Sequence, residues 1–142
     1  MKDRSEKEAI RRILVAALTF LADEPKSQAQ QLSRFFDEVT RRIEKYDLQH
    51  PLVEITEWIC QTSWSDDSPS DVVEILEEID AVSTLMFRDQ ELVTRFTSVD
   101  ALAEEPAWRV VRKLAADALR KAELEMATPV LDFTDLVLAV AD

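Results

Sequence analysis

Apolar residues recur along this chain at the i, i+3, i+4, i+7 spacing of a helix face, in blocks separated by helix-start and helix-stop signals. In the first block Ile10, Ile13, Leu14, Ala17, Leu18 and Leu21 form one stripe, opened by Ser5 and Glu8 in a capping-box arrangement and closed before Pro25. Ser27 with Gln30 repeats the box ahead of Leu32, Phe35, Phe36, Val39, Ile43 and Tyr46. His50-Pro51 opens a shorter segment through Leu52, Ile55 and Ile59, ending in the polar loop Ser63-Trp64-Ser65-Asp66-Asp67. Ser68, Pro69 and Asp71 start a fourth helix with the stripe Val72, Ile75, Leu76, Ile79, Val82 and Met86. Asp89 caps a short fifth containing Leu92, Val93 and Phe96, and Pro106 starts a sixth through Trp108, Val111, Ala115, Ala118 and Ala122. After Thr128-Pro129 the tail Val130 to Ala141 is apolar nearly all round, as a buried helix is. The pattern predicts an all-α fold, a single compact bundle of six to seven helices forming one domain over residues 1–142.

Composition narrows the chemistry. The chain has no glycine, so designs that need positive φ or close backbone approach to phosphate are disfavoured: primed hairpin turns, dinucleotide and triphosphate loops, nucleophile elbows. Cys60 is the only cysteine and His50 the only histidine, which removes Cys/His metal sites and disulfide frameworks. No catalytic residue, metal ligand or cofactor is assigned. His50 reads as a cap of the third helix, Cys60 as a small buried hydrophobe, and Trp58 and Trp108 as core. The run Ile13 to Ala22 behind Arg11 and Arg12 has the apolar character of a secretory signal, but Asp3, Glu6 and Glu8 favour a core helix. No stretch is long enough to span a bilayer, so the expected setting is the reducing cytoplasm, without membrane contact.

Charge is the feature that bears on function. Residues 51–105 hold fourteen Asp and Glu against Arg88 and Arg95 alone, whereas the segments on either side are close to neutral. At 100° per residue Asp71, Glu74, Glu77 and Glu78 fan across the side of the fourth helix away from its apolar stripe. Like charges three and four apart cost about 0.2–0.5 kcal/mol per pair. Elsewhere the chain uses acid-to-base spacings such as Glu105 to Arg109 and Asp117 to Lys121, a remedy absent from this ridge.

Glu54 and Glu57, followed by Glu77 and Asp80, resemble the Glu-x-x-Glu … Glu-x-x-Asp signature of the all-α nucleotide pyrophosphohydrolases. The resemblance covers about a fifth of the chain and implies a magnesium-dependent enzyme whose four carboxylates hold the metal against a nucleoside triphosphate. On the helical wheel, however, both pairs point away from the apolar stripes rather than toward each other, and a hard cation needs converging oxygens.

The reading favoured by charge is a small acidic binding protein that masks a basic surface of another protein, such as a nuclease toxin, in the manner of immunity proteins, antitoxins and other inhibitors. Its partner-binding residues would be Glu54, Glu57, Trp64, Asp66, Asp67, Asp71, Glu74, Glu77 and Glu78, with Trp64 an aromatic anchor among carboxylates. Direct nucleic-acid binding is disfavoured, because Arg34, Arg41, Arg42 and Lys45 are mostly matched to acids. The other alternative is a helical adaptor or chaperone module that uses the apolar tail as its contact. Oligomeric state is left open by the sequence.

Overall fold

The computed structural model describes residues 4–42, 50–61, 70–121 and 133–141, and every regular element among them is an α-helix. The helices are α1 (Arg4–Ala22), α2 (Pro25–Arg42), α3 (Pro51–Gln61), α4 (Ser70–Met86), α5 (Gln90–Phe96), α6 (Val99–Glu104), α7 (Pro106–Lys121) and α8 (Phe133–Ala141). The predicted stripes supply most of the buried faces, but Phe36 of α2 is 41% exposed and Leu92, Val93 and Phe96 of α5 are not buried, while Ile43, Tyr46 and Ala122 lie outside the described residues. Leu14, Leu18 and Leu21 of α1, Leu32 and Phe35 of α2, Ile55 and Ile59 of α3, and Trp108, Val111 and Ala115 of α7 share one apolar core. Every helix except α5 contributes a buried residue to it.

Helix α7 is central, packing against α1 on one side and α4 on the other. Asp71 lies near Lys121, and the Phe87 ring near that of Trp108 at 5.9 Å, so α4 and α7 run antiparallel. Helix α8 closes the bundle across α1, α2 and α3. Its Phe133 ring sits 4.4 Å from Phe20 and 5.4 Å from Phe35, and Leu136 and Val137 are buried. Phe133, Leu136 and Val137 of the apolar tail are therefore core residues.

Two helix boundaries differ from the sequence expectation. Helix α2 starts at Pro25, not at Ser27, and Asp23 braces that start: its carboxylate accepts from the Glu24 N–H at 2.8 Å and from the Ser27 hydroxyl at 2.6 Å. Pro25 is thus a helix opener at the first helical position, where its missing N–H costs nothing. Helix α6 is an eighth element. Ser98 caps it by accepting from Ala101 N–H at 3.1 Å, and Pro106 opens the next helix two residues beyond its end. As expected, Asp89 caps α5, accepting from Leu92 N–H at 3.0 Å.

A polar latch joins four of these helices. Gln28 is buried in α2 and donates to the carbonyls of Phe20 and Leu21 at the C-terminal end of α1, at 2.9 and 3.2 Å. Its own amide oxygen accepts from Arg112 of α7 at 3.3 Å. The same guanidinium donates to the carbonyls of Asp23 and Leu102 at 3.0 and 2.8 Å, so helix ends that would otherwise keep unsatisfied acceptors are closed by one side chain.

Candidate functional site

Helix α4 turns Val72, Ile75, Leu76, Ile79, Ser83 and Met86 inward, and it packs on α7 and α3. Its remaining arc carries the predicted ridge of Asp71, Glu74, Glu77 and Glu78, all exposed, and Asp80 is exposed as well. Among the described residues no basic side chain lies within ion-pair reach of Glu74, Glu77 or Glu78. Asp71 is the exception, with the Lys121 ammonium 3.9 Å away, but those side chains are 67% and 50% exposed, so screening leaves this pair little strength.

The ridge also holds a residue the charge pattern hides. Leu85 is 67% exposed, and with Asp71, Glu74 and Glu78 it occupies an arc of about 60° on the helix. An acidic run thus ends in an exposed apolar side chain, the combination found at interface anchors rimmed by polar groups. Leu85 falls off the buried stripe on the helical wheel, which is the signal that could have found it.

The other predicted contact residues divide. Glu57 of α3 is exposed, and its carboxyl pKa is raised, first by partial desolvation and then by the neighbouring Glu54 carboxylate. Glu54 is half-buried. Trp64, Asp66 and Asp67 lie outside the described residues. Helices α3 and α4 pack together, yet among the described residues no three Asp, Glu, His or Cys side chains converge closely enough to hold a metal ion. Glu54, Glu57, Glu77 and Asp80 are therefore not gathered as the pyrophosphohydrolase resemblance requires.

His50 caps α3. Its Nδ1 accepts from Leu52 N–H at 3.2 Å, its carbonyl accepts from the N–H groups of Val53 and Glu54, and its ring lies 5.6 Å from Phe36. Burial pushes the imidazole pKa down to about 4, which keeps the ring neutral, as an acceptor at a helix N-terminus must be. Trp108 is buried and donates its indole N–H to the Phe96 carbonyl at 2.6 Å, whereas Trp58 is partly buried at the edge of the core.

The cations of α7 were not singled out by sequence reasoning. Arg109, Lys113 and Arg120 are exposed on its outward side, within about 40° of one another. The acids do not take the partners their i to i+4 spacing offered: Glu105 meets Arg95 at 3.6 Å, and Asp117 meets Arg120 one turn on in α7. Among the described residues no helix is long and apolar enough to cross a membrane. No family model matches the chain, and no curated protein and no solved structure matches it.

Proposed function

We propose that this protein is a helical binding protein whose α4 ridge occupies a basic surface on a partner protein, the role of an inhibitor, immunity protein or antitoxin acting in the cytoplasm. The observation that carries this reading is the exposure of Glu74, Glu77 and Glu78 with no compensating cation among the described residues, on a helix whose opposite face is fully spent on core packing. A patch that keeps mutually repelling charges while cations on the next helix point elsewhere has its complement outside the chain. A nuclease cleft fits, since lysines and arginines arranged for phosphates accept carboxylates at similar spacing. Leu85 supplies an exposed apolar side chain at one end of that contact.

The experiment is capture of the partner from the native host's lysate by the tagged full chain, followed by stopped-flow association of the identified complex. Reversing Glu74, Glu77 and Glu78 to lysine is expected to lower the association rate by about tenfold or more and to flatten its dependence on salt. An association rate and salt dependence unchanged by that triple reversal would reject the ridge as the contact.

A further inference from the structure

Helix α5 stands apart from the other described helices: Leu92, Val93 and Phe96 are half-buried and its remaining residues are exposed. Seven residues cannot hold a helix by themselves, because nucleation costs more than so few hydrogen bonds return, and the β-branched Val93 and Thr94 add to that cost. The helix therefore depends on its ties to the bundle. One is the indole N–H of Trp108, which donates to the Phe96 carbonyl at 2.6 Å. Another is Arg95, 3.6 Å from Glu105 and 5.2 Å over the Phe96 ring, but its side chain is 64% exposed and water screens the pair. Beyond these ties α5 packs chiefly on α4 and α6, the helices that precede and follow it. We infer that α5 is a strap that lifts and unwinds as a unit while the other helices stay folded, uncovering the edge of Trp108.

The hydrogen bonds at its two boundaries let this opening stop where α5 stops. Helix α4 closes on itself, the Phe87 N–H donating to the Ser83 carbonyl at 2.9 Å, and Asp89 beyond it caps α5. Helix α6 has its own start, since the Ser98 hydroxyl and carbonyl accept from the N–H groups of Ala101 and Leu102 at 3.1 and 3.2 Å. Between those points Thr97 belongs to α5: its hydroxyl and its N–H both donate to the Val93 carbonyl, at 2.6 and 3.1 Å. Opening from Asp89 through Thr97 thus breaks the bonds of α5 and the one to Trp108, and neither neighbouring helix loses its cap. Few buried apolar contacts are lost, which is the condition for a local opening of low cost. The group uncovered is specific. Trp108 is 1% exposed, the largest of the fully buried side chains, and the Phe87 ring lies 5.9 Å from it, so lifting α5 frees an indole N–H and opens one aromatic pair to solvent. The strap follows the end of α4 remote from Asp71 and does not depend on the binding role proposed for the ridge.

The test is native-state hydrogen exchange of the full chain, followed residue by residue by NMR at urea concentrations below the unfolding midpoint. The amides of Leu92 to Thr97 and the Trp108 indole N–H are expected to open together, with protection about a hundredfold or more below that of the α7 amides. Their exchange should depend little on urea, because little surface is exposed in the opening. Asp89→Ala, at an exposed cap, is expected to lower protection in α5 by about fivefold and to leave that of α7 unchanged. The inference is overturned by α5 amides that are as protected as those of α7 with the same urea dependence, or that have no protection at all. It is overturned equally by an indole N–H that stays protected while the α5 amides exchange, or by an Asp89→Ala effect that α7 shares.

Discussion

Helices α4 and α7 are near neighbours in length, pack antiparallel against each other and bury comparable apolar stripes, yet they dispose of their charges in opposite ways. Helix α7 places Arg120 and Lys121 in its last turn, where cations suit the helix dipole, and turns Arg112 inward to tie carbonyls from α6 and the α1–α2 junction. The Arg112 charge is thus used to hold the fold together. Helix α4 places Asp71 in its first turn, where an acid suits the dipole, but Glu74, Glu77 and Glu78 stand in the middle of the helix and touch no base among the described residues. The contrast teaches that Arg112 is structural because it meets backbone acceptors, whereas the α4 carboxylates are exposed with no such partner among the described residues.

The largest expected effect breaks the α7 side of that contrast. Arg112→Leu strands the carbonyls of Asp23 and Leu102 and the Gln28 amide oxygen, and is expected to cost about 2–4 kcal/mol in urea unfolding. Arg112→Lys should recover only part of this, since an ammonium cannot span three acceptors held by a planar fork. A loss below about 0.5 kcal/mol for Arg112→Leu would show that the latch is ornamental.

Next comes His50, a charge the fold refuses. Its folded pKa of about 4 lies below the ordinary 6.5, so between those values the unfolded chain binds the proton and the folded chain does not. Stability is therefore expected to be unaffected by this group above pH 6.5 and to fall as pH drops toward 4, by about 1–2 kcal/mol after allowance for partial exposure. His50→Asn keeps an acceptor at the cap and should flatten that slope in unfolding measured across the same range.

Smaller effects test α4 itself. Ser83 is buried with its hydroxyl unpartnered, so Ser83→Ala is expected to be neutral or to stabilise by up to about 1 kcal/mol, read from the denaturation midpoint. The triple change Glu74→Gln/Glu77→Gln/Glu78→Gln should stabilise by about 0.5–1 kcal/mol at low salt and by less at high salt, as repulsion along the helix is relieved. Destabilisation by that triple change would mean that the ridge serves the fold and would erase the difference between the two helices.

How far these features were legible in the sequence depends on the distance over which each is decided. Apolar periodicity located most of the helices because a helix face is set by residues three and four apart, which the chain displays directly. The cap on α5 was equally local, since Asp89 and Leu92 are three residues apart. Helix α6 escaped because its buried pair, Ala101 and Leu102, is too short a run to show a period, although Ser98 and Pro106 marked its ends. The solvent-facing side of α4 followed from the same wheel that placed its stripe, and so would Leu85 have done. Glu105 is different: its spacing offered Arg109, and the fold gave it Arg95, whereas Asp117 exchanged Lys121 for Arg120, three residues on in the same helix.

By itself, then, the sequence determined the helical class, the buried faces, the His50 cap and the exposed acids of α4, because each depends on spacing within one or two helical turns. Tertiary structure alone decided that Arg112 would serve three carbonyl and amide acceptors across the bundle and that Phe133 would pack on Phe20 and Phe35. Those outcomes bring together residues tens of positions apart, and no local period encodes which helix end a distant guanidinium will reach.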